Sequence, residues 1–238
     1  MAPLVVLVHS PSVGPRTWRD VADELHRAGI VAVVPDLRRV TELGPPYWPT
    51  VVRAVVEAIG ELPSEATGPL VLVPHSNAGL FVPATVVASP RPIAGVVFVD
   101  AALPQTGQAR CPVAPPQMLD RLRSMADEDG YLPRWTDWWD VEDVAALLPD
   151  PAVREEVVAD QPRLPLAYFE QDVPVPSTWP LVPCAYLQLS QAYEAEAHEA
   201  RRAGWPVDVA PGEHLNQVVA PKEVTRAVLA LIENITRS

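Results

Sequence analysis

The sequence predicts an α/β fold, a mostly parallel central sheet flanked by helices, with one helical insertion. Three observations carry this. Short, mainly apolar runs recur at 3–9 (PLVVLVH, continuously β-branched in character), 30–34 (IVAVV), 69–73 (PLVLV), 94–99 (AGVVFV) and 184–189 (CAYLQL). Most are unbroken apolar stretches without polar alternation, so both faces of the sheet must be covered. Amphipathic stretches lie between them, and such strand–helix alternation builds parallel sheets. The alternation stops near 104 and resumes after 180. The segment between is rich in proline, tryptophan and acids.

Each element has its own signal. In 17–28, Trp18, Val21, Ala22 and Leu25 share one helical stripe, and Gly29 follows as a stop. A second amphipathic helix is expected at 50–62, and a third, despite Pro83, at 78–88. The strand at 94–99 ends in Asp100. Within the insertion, DRLRSMADEDG, VEDVAALLPD and PAVREEVVAD read as short helices, and Trp135, Trp138, Trp139 and Trp179 cluster there. A polar helix at 191–203, a short strand at 205–209 and a closing helix at 221–235 complete the pattern. The chain of 238 residues thus reads as one domain, 1–238, with the insertion at 104–180 within it.

Composition narrows the function. The net charge is −12 and no basic run occurs, which excludes a nucleic-acid surface. No apolar run is long enough to span a membrane, and MAPLVVLVHS lacks the basic start of a signal peptide, so a cytoplasmic location is expected. Cys111 and Cys184 are expected as free thiols. No CxxC or HExxH spacing occurs, and Asp36 has no Gly-rich turn before it, so neither metal nor cofactor is expected. The expected partner is a small apolar or aromatic molecule, bound by a monomer or homodimer.

The chemistry centres on LVLVPHSNAGLF, residues 70–81, where a buried strand runs abruptly into an apolar helix. A serine hydroxyl needs exposure, a base and an acid that orients the base. A tight strand-to-helix turn supplies the exposure and requires small residues two places to either side. Here the pattern is Pro74-x-Ser76-x-Ala78, followed by Gly79. Of the five histidines, His26 and His198 lie on exposed helix faces, and His75 is expected to point away from the serine. His214, in APGEHLNQVVAP, follows the last strand, where a base belongs in a parallel α/β sheet.

With these motifs in order (His9-Ser10, VVPDLR, PHSNAG, FVDAALP, GEHLNQVVAPKEV), the chain resembles the α/β-hydrolase fold family, in its branch of small capped esterases and hydroxynitrile lyases. The resemblance implies Ser76 as nucleophile, His214 as base and 104–180 as a helical cap. The family's acid usually follows the strand before the histidine, where LQLSQAYEAEA offers Glu194 and Glu196 but no aspartate. The other acid position known in the fold corresponds to Asp100, the favoured choice over Glu194 or no acid at all. The implied oxyanion hole takes one N–H from Asn77 and one from the loop after strand one. That loop reads His9-Ser10-Pro11, and proline has no N–H, so either Ser12 donates through a shifted loop, or the Ser10 hydroxyl substitutes, or the chemistry needs no strong oxyanion hole. The lyases place a lysine after the histidine, where this chain has Leu215. His9, Pro11, His75, Trp135, Trp138 and Trp139 are the residues expected against the substrate. Hydrolysis of a carboxylic ester, lactone or thioester is the implied activity. A lyase or cyclase on the same scaffold, or a non-catalytic ligand binder, is the alternative.

Overall fold

The computed structural model describes residues 1–105 and 107–237. The first half alternates as expected. β1 (Leu4–Val8), α1 (Arg16–Arg27), β2 (Val31–Val33), α2 (Trp48–Gly60) and β3 (Leu70–Ser76) come first. A 3₁₀ turn (Asn77–Phe81) then leads into α3 (Val82–Ala88) and β4 (Ile93–Ala101). The excursion that follows holds β5 (Arg110–Pro112), α4 (Pro116–Met125), α5 (Val141–Leu147), α6 (Pro151–Asp160), α7 (Leu166–Phe169) and β6 (Asp172–Pro174). The chain returns through β7 (Cys184–Gln188), α8 (Glu194–Arg202), β8 (Val207–Val209), α9 (Asn216–Val219) and α10 (Pro221–Thr236).

Six strands form one sheet in the order β2-β1-β3-β4-β7-β8, and every neighbouring pair is parallel. Side chains alternate across it, as strand geometry demands. Val5, Leu7, Val71, Val73, Val97 and Val99 face Trp18, Val21 and Leu25 of α1 and Val224, Val228 and Ile232 of α10. Leu4, Val6, Leu70, Leu72, Val96 and Phe98 face α2 and α8 on the other side. Each such side chain, once buried, contributes roughly 1.5–3 kcal/mol, which is why continuous apolar runs were needed.

Two consequences place the site. Parallel strands end on one edge, so the loops after β1, β3, β4, β7 and β8 gather there. The chain steps from β1 outward to β2, then back across to β3. The gap between the ends of β1 and β3 is therefore a topological switch point, where α/β sheets bind ligands.

Three local expectations change. The helix expected at 78–88 opens as a 3₁₀ turn over Asn77–Phe81. The polar helix at 191–203 likewise starts with a 3₁₀ turn, Gln191–Tyr193, before α8. The excursion also contains an antiparallel ribbon of β5 and β6, three residues each, too short to leave a period in the sequence. It is tied to the core by ion pairs. Glu156 of α6 receives both Arg16 Nε and Arg19 at 2.6 Å, and Asp160 receives Arg38 at 2.6 Å. Asp160 also accepts the Arg16 N–H at 2.7 Å. Gly14 makes this approach possible, because a Cβ there would lie 2.6 Å from the Asp160 carboxylate. Among the described residues, no helix is long and apolar enough to cross a membrane.

Candidate active site

β3 delivers Ser76 to the sheet edge and then reverses sharply. Ser76 has φ 58 and ψ −135, a conformation rarely adopted outside glycine. Holding a serine there costs of order 1–3 kcal/mol, and the surroundings enforce it. Ala78 is buried, and a Cβ on Gly79 would meet the Ala102 carbonyl at 2.1 Å. The small residues after the serine thus let the 3₁₀ turn press against the end of β4. Pro74 sits opposite Val8 in the β1–β3 pairing.

One strand away, Asp100 stands one residue before the end of β4; it also has a positive φ of 42 and is fully buried. Four donors saturate its carboxylate. Oδ1 accepts the Leu189 and Ser190 N–H groups at 2.9 and 3.0 Å. Oδ2 accepts the Ser190 hydroxyl at 2.6 Å and His214 Nδ1 at 2.7 Å. Burial pushes this carboxyl upward, but the hydrogen bonds from His214 and Ser190 prevail and hold it below the usual range. Because an ionised carboxylate only accepts, His214 Nδ1 is the donor to it, and in the neutral ring that tautomer leaves Nε2 as the acceptor.

Three aromatic rings fix the His214 ring. Tyr193 lies parallel to it, 4.9 Å away at 8°. His75 packs against it at 4.4 Å, and Trp135 stands 6.0 Å off. The Tyr193 hydroxyl is 3.3 Å from Ser76 Oγ. Burial pushes that phenol up to about 12, so it stays protonated.

The loop after β1 turns tightly at Pro11, closed by the Val13 N–H to the Ser10 carbonyl at 3.1 Å. The Ser10 hydroxyl donates to Asn77 Oδ1 at 2.9 Å and accepts the Ser12 N–H at 3.3 Å. Ser10 therefore reaches the elbow directly and Ser12 is tied to it through Ser10, while Pro11 is buried.

A cavity of about 680 Å³ opens over these groups. Ser10, Ser12, Ser76, Asn77, Tyr193 and His214 line it from the core. Trp135, Trp138, Trp139, Met118 and Phe169 line it from the excursion. Asp143, Glu196 and Glu213 also reach its walls. Burial, with Asp100 nearby, raises the Glu196 carboxyl.

The family model described as the alpha/beta hydrolase family matches residues 5–227. The chain belongs to the alpha/beta hydrolase family. Solved structures of similar fold include an extracellular alpha/beta-hydrolase from a Paenibacillus species, reported to share structural and functional homology with tobacco salicylic acid binding protein 2. Its TM-score is 0.74 at 18% identity over 100% of both chains. Polyneuridine aldehyde esterase follows, with a TM-score of 0.70 at 16% identity over 97% of this chain and 99% of that one. The methylesterase MES16 from Arabidopsis has a TM-score of 0.69 at 14% identity over 98% and 99%. No curated protein matches the chain.

Within this alpha/beta hydrolase the sequence-predicted residues separate into two groups. Ser76, Asn77, Ser10, Ser12, His214 and the three tryptophans meet at the cavity, with Asp100 directly behind His214. His9, Pro11 and His75, expected against the substrate, do not line it. His9 is fully buried and staples two loops: Nδ1 donates to the Ser10 carbonyl at 2.7 Å, and Nε2 accepts the Leu37 N–H at 3.0 Å. Burial lowers its pKa to about 4. His75 is also fully buried and donates through Nε2 to the His214 carbonyl at 2.9 Å. Burial and the neighbouring His214 lower its pKa to about 3. Glu194, the alternative acid, is exposed at the start of α8. Two residues escaped notice in the sequence, Ser190 and Tyr193. Both lie in the loop after β7, where a carboxylate was sought and hydroxyl groups stand instead.

Proposed function

We propose that this alpha/beta hydrolase cleaves a carboxylic ester, lactone or thioester of a small apolar or aromatic molecule through a serine acyl-enzyme. The 2.7 Å contact between His214 Nδ1 and Asp100 Oδ2, beside a serine on a strained turn, carries the reading. Asp100 holds His214 in the tautomer with Nε2 free. Nε2 takes the Ser76 proton as Oγ attacks the carbonyl, then gives it to the leaving oxygen. Water repeats the sequence on the acyl-enzyme. The developing oxyanion falls to the Asn77 N–H, with the Ser10 hydroxyl released from Asn77 Oδ1, or the Ser12 N–H released from Ser10 Oγ, in place of the donor that Pro11 lacks.

The excursion at 104–180 serves as the cap, and its tryptophans supply the apolar and aromatic wall. Among the described residues the cavity wall holds three carboxylates and no Lys or Arg, which favours neutral or cationic substrates over anionic ones. An esterase and a methylesterase among the similar structures support the ester class.

The test is labelling by a fluorophosphonate probe, read by intact mass. The parent is expected to label, Ser76→Ala not at all, and His214→Ala at least about 10²-fold more slowly. A folded parent that does not label would overturn the proposal in favour of acid–base lyase chemistry.

A further inference from the structure

Tyr193 belongs to neither the nucleophile, the base nor the acid, yet its hydroxyl lies 3.3 Å from the reacting Oγ. Its ring lies flat on that of His214. The phenol is therefore on the imidazole side of Ser76, whereas the Asn77 N–H is on the side of the 3₁₀ turn that follows the serine. A carbonyl carbon bonded to Oγ must turn its oxyanion toward Asn77 and its leaving oxygen toward His214. The Tyr193 hydroxyl is then within reach of the leaving oxygen. We propose that Tyr193 is a catalytic residue that donates a hydrogen bond to the leaving-group oxygen as the acyl-enzyme forms.

The inference rests on the serine-hydrolase reading above. In the collapse of the tetrahedral adduct, the bond from carbon to the leaving oxygen breaks and its electron pair stays on that oxygen. The proton that His214 Nε2 took from Ser76 passes to the same oxygen. Tyr193 keeps its own proton and stabilises the charge while that transfer is incomplete. Its raised pKa, about 12, means that it donates throughout the range in which a neutral imidazole can act as a base. Before substrate binds, the same hydroxyl pairs with Ser76 Oγ, so no new side-chain position is needed.

The prediction separates leaving groups. An alkoxide depends strongly on hydrogen-bond donation, and a p-nitrophenolate barely does. Two esters of one acyl group, methyl and p-nitrophenyl, are compared by kcat/KM, which reports acylation. Tyr193→Phe keeps the ring and removes the donor. We expect a loss of about 10–10²-fold on the methyl ester and about threefold or less on the p-nitrophenyl ester. Equal losses on both esters would reduce Tyr193 to a support for Ser76 or His214 and overturn the inference. So would no loss on either. Ser76→Ala is run alongside: full activity in that variant would sink the serine reading itself, a result distinct from any Tyr193 outcome. If Tyr193→Phe loses the near-ultraviolet spectrum of the parent, 3,5-difluorotyrosine at position 193 replaces it. That stronger donor should raise the methyl-to-p-nitrophenyl ratio, and an unchanged ratio overturns the inference.

Discussion

His75 and His214 bring their rings within 4.4 Å of one another, yet they do different work. His75 is bonded in sequence to Ser76. It points down the face of the sheet covered by α1, where it meets Trp18 edge-on at 6.0 Å. It has no exposure and no carboxylate partner. His214 comes from a loop 139 residues further on, sits half-buried at the cavity and leans on Asp100. The contrast follows from strand geometry. The side chain before the serine lies on the opposite face from the turn, so the neighbour in sequence is removed from the reacting atoms. In the proposed mechanism the base comes from another loop on the same edge. His75 instead holds that loop in place through the His214 carbonyl.

Exchanging the two roles is the strongest way to break this contrast. Removing His214 with His214→Ala should lower kcat/KM by about 10⁵–10⁶-fold, as loss of a general base does in a serine hydrolase. His75→Gln should lower it by no more than about tenfold and reduce the Tm instead, since a buried polar group and its packing are disturbed. Comparable kinetic losses in the two variants would abolish the distinction.

Asp100→Asn comes next, at about 10⁴-fold in kcat/KM. Its shape is conserved and its other donors, Leu189 and Ser190, remain. What is lost is the charge and the acceptor at Oδ2, which takes the Ser190 hydroxyl and fixes the proton on His214 Nδ1. A fall similar to that of Glu194→Gln, which should be nearly silent, would remove Asp100 from the triad.

The smallest effect is in stability. His9 and His75 are held neutral by burial, at about 4 and about 3, while unfolded histidine titrates near 6.5. The unfolded chain therefore binds more protons below about pH 6.5, and stability must fall as pH drops from there toward the folded values. Asp100 adds to the loss only further down. Its depressed pKa means that its contribution is complete above about pH 3.9 and disappears as pH falls through the folded value. Each histidine contributes a slope of about 1.4 kcal/mol per pH unit. Denaturant titrations at pH 7, 6 and 5 should show the slope, and His75→Gln should remove one such share. A slope unchanged in that variant would mean that His75 is not the buried neutral group described.

The sequence by itself determined the sheet, the alternation and the elbow. Both-face burial requires unbroken apolar runs such as LVLV before Ser76, and a tight turn requires Ala78 and Gly79; both are local demands that leave local patterns. Asp100 was legible too, because an aspartate closing an apolar strand needs a partner. The tertiary structure decided who that partner is. The Asp100–His214 contact joins residues 114 apart, and no short-range period encodes it. It also left His9, Pro11 and His75 out of the cavity lining, since sheet-edge loops can be read as neighbours of the site without showing which way their side chains turn. Tyr193 appeared only in three dimensions, where the packing of the β7 loop against β4 lays its ring on His214 and its hydroxyl on Ser76.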